Sequence, residues 1–196
     1  MTGQSINCRC TECSCAHSVN YFPNVNAGEE PELKDKIIDG SLFTWTCPEC
    51  GKVNLAVYPM VYHDPQQSLM LVLSPSPISA SGLPEGYVGR QVRTPGELIE
   101  KIKIFDAGLD DILVEMCKFV TVKELKKDVS LKFFKLEGAD SEITFTYPEN
   151  SNMEMVVTGM GLYHDCAGIV ERNPRIRDAA TGLAQVNDGF LRQFFE

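Results

Sequence analysis

Two Cys-x-x-Cys pairs, Cys10/Cys13 and Cys47/Cys50, constrain this chain more than any other feature. Two residues between paired cysteines let one tight turn aim both sulfurs at a single ion, and a tetrahedral zinc takes four such ligands. In Cys47-Pro48-Glu49-Cys50-Gly51 the proline presets the turn, and the glycine lets the backbone curl so that N–H groups point at sulfur. Cys10-Thr11-Glu12-Cys13 lacks both aids, and Cys8, Cys15 and His17 stand near enough to replace a ligand or to hold a second metal. The spacing predicts one structural zinc ion on Cys10, Cys13, Cys47 and Cys50, with those neighbours as alternatives in the first knuckle. Four cysteines leave no open coordination position, so such a zinc is a scaffold and not a catalyst. Metal binding in small modules of this kind contributes roughly 10 to 16 kcal/mol to folding.

The 33 residues between Cys13 and Cys47 exceed the about 15 to 20 of the common ribbon spacing. A helix over Pro31 to Asp39 would occupy the excess: Glu29 and Glu30 precede a proline at the first helical position, and Gly40 stands at the stop. The residues before Pro31 read as loop. Leu42 to Thr46 and Val53 to Tyr58 read as a hairpin around the second knuckle, and Leu69 to Leu73 as a further strand.

Eight cysteines would suit a disulfide framework, but six lie in two tight clusters, and the polar, uncharged Met1 to Asn7 does not resemble a secretory signal. No run of about 18 apolar residues is present to span a bilayer. The expectation is a cytoplasmic protein with no membrane association. Cys117 and Cys166 stand apart and read as one core residue and one loop thiol.

The net charge of -9 is spread over both halves, so the field of the protein disfavours nucleic acid, whose phosphates reward clustered Lys and Arg. The lysines from Lys123 to Lys135 are interleaved with Glu124 and Asp128 and read as a solvated surface.

Ser74 to Gly89 is rich in Ser, Pro and Gly, which predicts a domain organisation of 1–75, a linker over 76–89, and a second domain over 90–196. In that second part Thr94-Pro95-Gly96-Glu97 is a capping box ahead of Leu98, Ile102 and Phe105 at helical spacing. Asp110 and Asp111 open a second helix with an apolar face from Ile112 to Leu125. Leu131 to Leu136, Ile143 to Tyr147 and Met153 to Thr158 follow as an antiparallel meander, and the tail from Gly161 carries one short helix after Pro174. The fold class is α+β: ribbon-like hairpins with a short helix, then two helices and an antiparallel three-stranded sheet.

Other chemistry is sparse. Tyr62-His63-Asp64 pairs an imidazole with a carboxylate, yet neighbours in a strand point opposite ways, and Asp64-Pro65 reads as the start of a turn. Tyr163-His164-Asp165 repeats the tripeptide in unrelated surroundings, and Cys166 follows His164 by two residues. No Gly-rich phosphate loop, nucleophile elbow or His-Glu-x-x-His helix occurs.

Several of these stretches together resemble the CpXC domain family of bacteria and archaea. They are Cys10-Thr-Glu-Cys13, Pro31-Glu-Leu-Lys-Asp-Lys, Asp39-Gly-Ser-Leu-Phe43, Cys47-Pro-Glu-Cys50-Gly51 and Tyr58-Pro-Met-Val-Tyr-His-Asp64. The likeness covers roughly Cys8 to Pro75, and Ile104-Phe-Asp-Ala-Gly-Leu-Asp-Asp111 resembles the region that often follows the domain. It implies zinc binding and a microbial, bacterial or archaeal, origin without implying an activity. The first cysteine pair departs from the family pattern in lacking its proline.

The expectation is therefore a zinc-stabilised, non-enzymatic module that engages a protein or small-molecule partner. One alternative is an enzyme whose site lies near His63, His164 and Cys166. A second is a thiol redox sensor built on the Cys8 to Cys15 cluster, where oxidation would eject zinc.

Overall fold

A computed structural model describes residues 3–78, 82–138 and 141–195. The chain divides into two compact units, Met1–Ile99 and Glu100–Glu196. The architecture is α+β in both.

The first unit opens with strands β1 (Gln4–Arg9) and β2 (Ala16–Tyr21), paired antiparallel from Gln4↔Tyr21 to Arg9↔Ala16. This stretch, expected as loop, is a hairpin. Its one half-buried face pairs Ile6 with Val19 and Cys8 with His17, an alternation too short and too diluted by polar residues to read as a strand, and its other face is exposed. Strand β3 (Asn24–Asn26) and helix α1 (Pro31–Ile38) follow, the helix burying Leu33 and Ile37 and ending at Asp39 before Gly40 with φ +81°. Leu42 and Phe43 fall in a 3-10 turn, Ser41–Phe43, ahead of strand β4 (Thr44–Thr46). β4 pairs with β5 (Val53–Leu55) in the second hairpin.

Strands β6 (Met60–Asp64), β7 (Leu69–Leu73) and β8 (Val88–Val92) complete the unit's main sheet, in the order β8-β7-β6-β3. β6 and β7 form a hairpin whose buried residues alternate, Met60 and Tyr62 on one strand and Leu69, Leu71 and Leu73 on the other. β8 runs parallel to β7, so residues 74–87 form the crossover that a parallel pair requires. The segment 76–89 expected as a linker thus lies within the first unit; its residues 79–81 fall outside the described ones. Gln91 pins the start of this crossover by donating from Nε2 to the carbonyls of Ser74 (3.1 Å) and Ser76 (2.7 Å).

Helix α2 (Pro95–Asp106) begins at the anticipated capping box: Thr94 Oγ1 accepts from Glu97 N–H at 3.2 Å, and Glu97 Oε2 accepts from Arg93 N–H at 2.7 Å. Leu98, Ile102 and Ile104 are buried, while Phe105 is only half-buried. Helix α3 (Asp111–Leu125) is capped by Asp110, whose carboxylate accepts from Ile112 N–H at 2.9 Å.

The meander is β9 (Lys132–Glu137), β10 (Glu142–Glu149) and β11 (Asn152–Thr158), antiparallel in the order β11-β10-β9. Residues 139 and 140 of the β9–β10 turn lie outside the described ones. Asn150 (φ +48°) and Ser151 (φ +68°) make the two-residue turn between β10 and β11.

Helix α4 (Met160–Glu171) was not anticipated, because Gly161 and Gly168 dilute its helical pattern. Tertiary packing of Cys166 and Val170 compensates. Helices α5 (Pro174–Ala179) and α6 (Arg192–Phe195) end the chain. The core of this unit joins Ile112, Met116 and Cys117 of α3 with Cys166 and Val170 of α4 and Ile143 and Phe145 of β10.

Beside that core lies a buried ionic network. Lys118 Nζ sits 2.8 Å from both Glu100 and Glu115 and 3.5 Å from Asp188, and Lys101 Nζ sits 2.9 Å from Asp111 and 3.5 Å from Glu115. Several lysines of the stretch read as solvated surface are ion-paired, Lys127 with Glu149, Lys132 with Glu100 and Lys135 with Glu137. No helix among the described residues is long and apolar enough to cross a membrane.

Candidate metal centre

Each Cys-x-x-Cys pair sits at the tip of a hairpin, and the two tips are built alike. Cys10 N–H donates to the Cys15 carbonyl at 2.9 Å and Ser14 N–H to the Cys10 carbonyl at 3.0 Å. In the second tip Cys47 N–H donates to the Lys52 carbonyl at 2.8 Å and Gly51 N–H to the Cys47 carbonyl at 2.9 Å. The residue after the second cysteine must turn left-handed, and it does so as Gly51 (φ +73°) in one tip and Ser14 (φ +63°) in the other. The first knuckle therefore has the geometry of the second without its glycine.

The two tips face each other. Cys10 Sγ lies 3.5 Å from Cys50 Sγ and Cys13 Sγ 3.6 Å from Cys47 Sγ, and all four sulfurs fall within 4.8 Å of one another. Zinc–sulfur bonds of about 2.3 Å set the edge of a tetrahedron at about 3.8 Å, so the quartet has the size of a thiolate cage around one ion. All four are free thiols; Cys10 and Cys47 are buried, and Cys13 and Cys50 stand on the outer side.

The electrostatics of the quartet point the same way. Main-chain N–H groups, first that of Cys13 and then that of Glu12, with the Asn54 amide, outweigh burial and hold the Cys10 thiol down at about 6. At Cys50 the pull of the Lys52 N–H is outweighed by desolvation and by the neighbouring sulfurs of Cys10, Cys13 and Cys47, which push that thiol up to about 12. Several thiolates cannot share so small a volume without a compensating positive charge. A divalent cation supplies that charge and removes the penalty.

Asn54, which the sequence reading did not single out, joins the two knuckles. Its Oδ1 accepts from Thr11 N–H at 2.8 Å and from Thr11 Oγ1 at 2.9 Å. Its Nδ2 donates to the Lys52 carbonyl at 2.9 Å and to Cys10 Sγ at 3.6 Å. The available signal was an asparagine inside an otherwise apolar strand run, Val53-Asn54-Leu55-Ala56-Val57, a setting that disfavours it.

Among the described residues the four cysteines alone form this group. His17 stands outside it with Nε2 3.7 Å from Cys47 Sγ and its ring 5.7 Å from that of Trp45, so it meets the cluster through a ligand sulfur. Cys8 lies opposite His17 in the β1–β2 ladder, and Cys15 is exposed.

The remaining candidates fall in different units. His63 belongs to the first unit, where Nε2 meets Tyr87 Oη at 3.0 Å. Asp64 turns away from it: Oδ1 accepts from the N–H groups of Gln66 (3.1 Å) and Gln67 (3.2 Å), as a turn-starting residue does. His164 and Cys166 lie in the second unit on α4, two positions apart and thus on different faces, the imidazole exposed and the thiol fully buried. Cys166 is a core residue of a helix and not the loop thiol expected. It hydrogen-bonds with Cys117, and that neighbour together with burial drives the Cys117 thiol far above its ordinary value. The two Tyr-His-Asp tripeptides share no role, one lying in a strand and the other in a helix where Tyr163 Oη accepts from Asp110 N–H at 2.8 Å.

Among curated proteins and among solved structures nothing matches this chain. The family comparison does: residues 8–118, more than half of the chain and including all four cysteines of the centre, match the family described as CpXC protein. The chain belongs to the CpXC family.

Proposed function

We propose that the first unit is a binding module held in shape by one structural zinc ion on Cys10, Cys13, Cys47 and Cys50, and that the protein works by engaging a protein partner. The observation that carries this reading is the set of four sulfurs within 4.8 Å. A soft, closed tetrahedral donor set suits zinc and leaves no coordination site for water or substrate.

The second hairpin supports the binding role. Val53, Leu55 and Val57 project to one side with exposures of 59%, 72% and 51%, whereas Asn54, Ala56 and Tyr58 point inward. Among the described residues β5 pairs only with β4, leaving its outer edge open, and a shallow groove of about 520 Å³ runs beside Leu55 and Val57 past Ser41 and Thr44. An exposed apolar ridge along an unpaired strand edge suits an extended apolar segment of a partner protein that adds a strand.

Elemental analysis of the full chain should find about one zinc per molecule and none in Cys47→Ser; a metal-free wild type after mild purification overturns the zinc assignment. A photo-crosslinking residue at position 55 should give a discrete cellular adduct that excess unmodified protein competes away and that Val57→Asp abolishes. No competed adduct would remove the partner-binding role while leaving the zinc assignment standing.

A further inference from the structure

The three-stranded sheet of the second unit has two edges, and they are finished differently. At the β9 edge the N–H of Phe133 donates to Glu100 Oε1 at 2.6 Å, and Lys132, Lys135 and Glu137 stand along the strand. Charged side chains and an occupied main chain keep other strands off such an edge. β11, at the opposite edge, pairs only with β10 among the described residues. Its large apolar side chains Met153, Met155 and Val157 are 63%, 61% and 52% exposed.

The hairpin register fixes where the main chain of β11 points. The turn at Asn150 and Ser151 closes on Glu149↔Asn152, and a two-residue turn makes its closing pair one that exchanges both hydrogen bonds. Alternation along the ladder then aims the N–H and C=O groups of Glu154 and Val156 at β10 and those of Met153, Met155 and Val157 outward. Pro148, which has no N–H to give, falls opposite Met153, where the pair exchanges no bonds. The same three residues thus carry the unpaired main chain and the exposed apolar side chains, whereas Val156 packs on the core.

The strand is also complementary to itself. Met155 is the fourth of the seven residues Asn152–Thr158. Antiparallel pairing about it sets Met155 against Met155 and Met153 against Val157, and each such pair joins two outward-facing main chains. Glu154, the only charged residue of the strand, falls opposite Val156, so no like charges meet across the seam. Centring on Glu154 would instead oppose two carboxylates.

We propose that β11 is the contact through which the protein associates with a second copy of itself, the two edges joining antiparallel about Met155 into one continuous sheet. An edge of seven residues spans roughly 23 Å, which places the interface at the small end of specific contacts. The dimer therefore forms reversibly, at micromolar concentrations.

Sedimentation velocity of the full chain from about 1 to 500 μM tests this. A monomer–dimer equilibrium is expected. Met155→Lys sets two ammonium groups against each other on the axis and should weaken association at least about tenfold with melting unchanged. Val57→Asp, on the open edge of the first unit, should leave association intact. Residue-resolved amide exchange of the wild type needs no substitution: Met153, Met155 and Val157 should gain protection as concentration rises, while Glu154 and Val156 stay protected throughout. A chain that remains monomeric over the range, a dimer that survives Met155→Lys, or outward amides whose exchange ignores concentration overturns the proposal. So does a dimer lost in Val57→Asp but not in Met155→Lys.

Discussion

Asn54 receives the backbone N–H of Thr11 at 2.8 Å and the Thr11 hydroxyl at 2.9 Å, so a single amide on the second hairpin fixes the turn that presents Cys10 and Cys13. The side chain is 4% exposed, and every bond it makes lies where water cannot readily replace it. Asn54→Ala should destabilise the zinc-loaded first unit by about 1 to 3 kcal/mol in denaturant unfolding and speed zinc loss to a chelator. Unchanged release kinetics would show that the two knuckles hold each other through metal alone.

The left-handed turn at Ser14 is strained in a way that Gly51 is not. A residue with a Cβ costs about 1 to 2 kcal/mol there, partly offset by the greater chain entropy of glycine when unfolded. Ser14→Gly should therefore raise the denaturation midpoint by the equivalent of about 0.5 to 1 kcal/mol, and Gly51→Ala should lower it by at least as much. Equal and opposite changes in these two variants would confirm that the tips are structural equivalents.

Thiol accessibility should report the three environments of the cysteines in order. With zinc bound, Cys8 and Cys15 react first with a bulky thiol reagent, because the quartet is held by metal and Cys117 and Cys166 are buried. Chelation should release the quartet, and only denaturation should expose the last pair. Rapid labelling of Cys166 in the native protein would contradict its place in the α4 core.

Glu115 gives a pH dependence of definite sign. Its folded carboxyl titrates above the ordinary value near 4.5, so the folded state holds a proton that the unfolded chain gives up, and its contribution to stability falls as pH rises through that interval. Glu115→Gln should remove this loss. The stability difference between variant and wild type should move in favour of the variant from pH 5 to pH 8 in parallel denaturant melts, and a difference independent of pH would place the carboxyl at its ordinary value.

What could be read in the chain was what local rules dictate. Paired cysteines with two-residue gaps, proline and glycine bracketing α1, the capping box at Thr94 and the alternating runs of the meander each depend on neighbours within a few positions. The failures depend on contacts made elsewhere. β1 and β2 have one half-buried face, Ile6 and Cys8 against Val19 and His17, that is too thin to show in either strand alone, while α4 tolerates its glycines because Cys166 and Val170 reach the core. Asn54 was invisible as a partner because Thr11 lies 43 residues away. Leu55 and Val57 are exposed, since the inward positions of the run from Val53 to Tyr58 go to Asn54, Ala56 and Tyr58.

The sulfurs of Cys10 and Cys50 meet across 40 residues of chain, with α1 and β3 threaded between them. A metal bridging them would act as a reversible staple, whose loop-closure effect, were it covalent, would be about 4 kcal/mol. That effect grows only with the logarithm of the enclosed length, each doubling adding about 0.6 kcal/mol. A surface loop within the intervening stretch can consequently lengthen at little closure penalty, whereas α1 and β3, which bury Leu33, Ile37 and Val25, cannot, and the place to graft a new element into this protein without unmaking its ribbon is such a loop inside the staple.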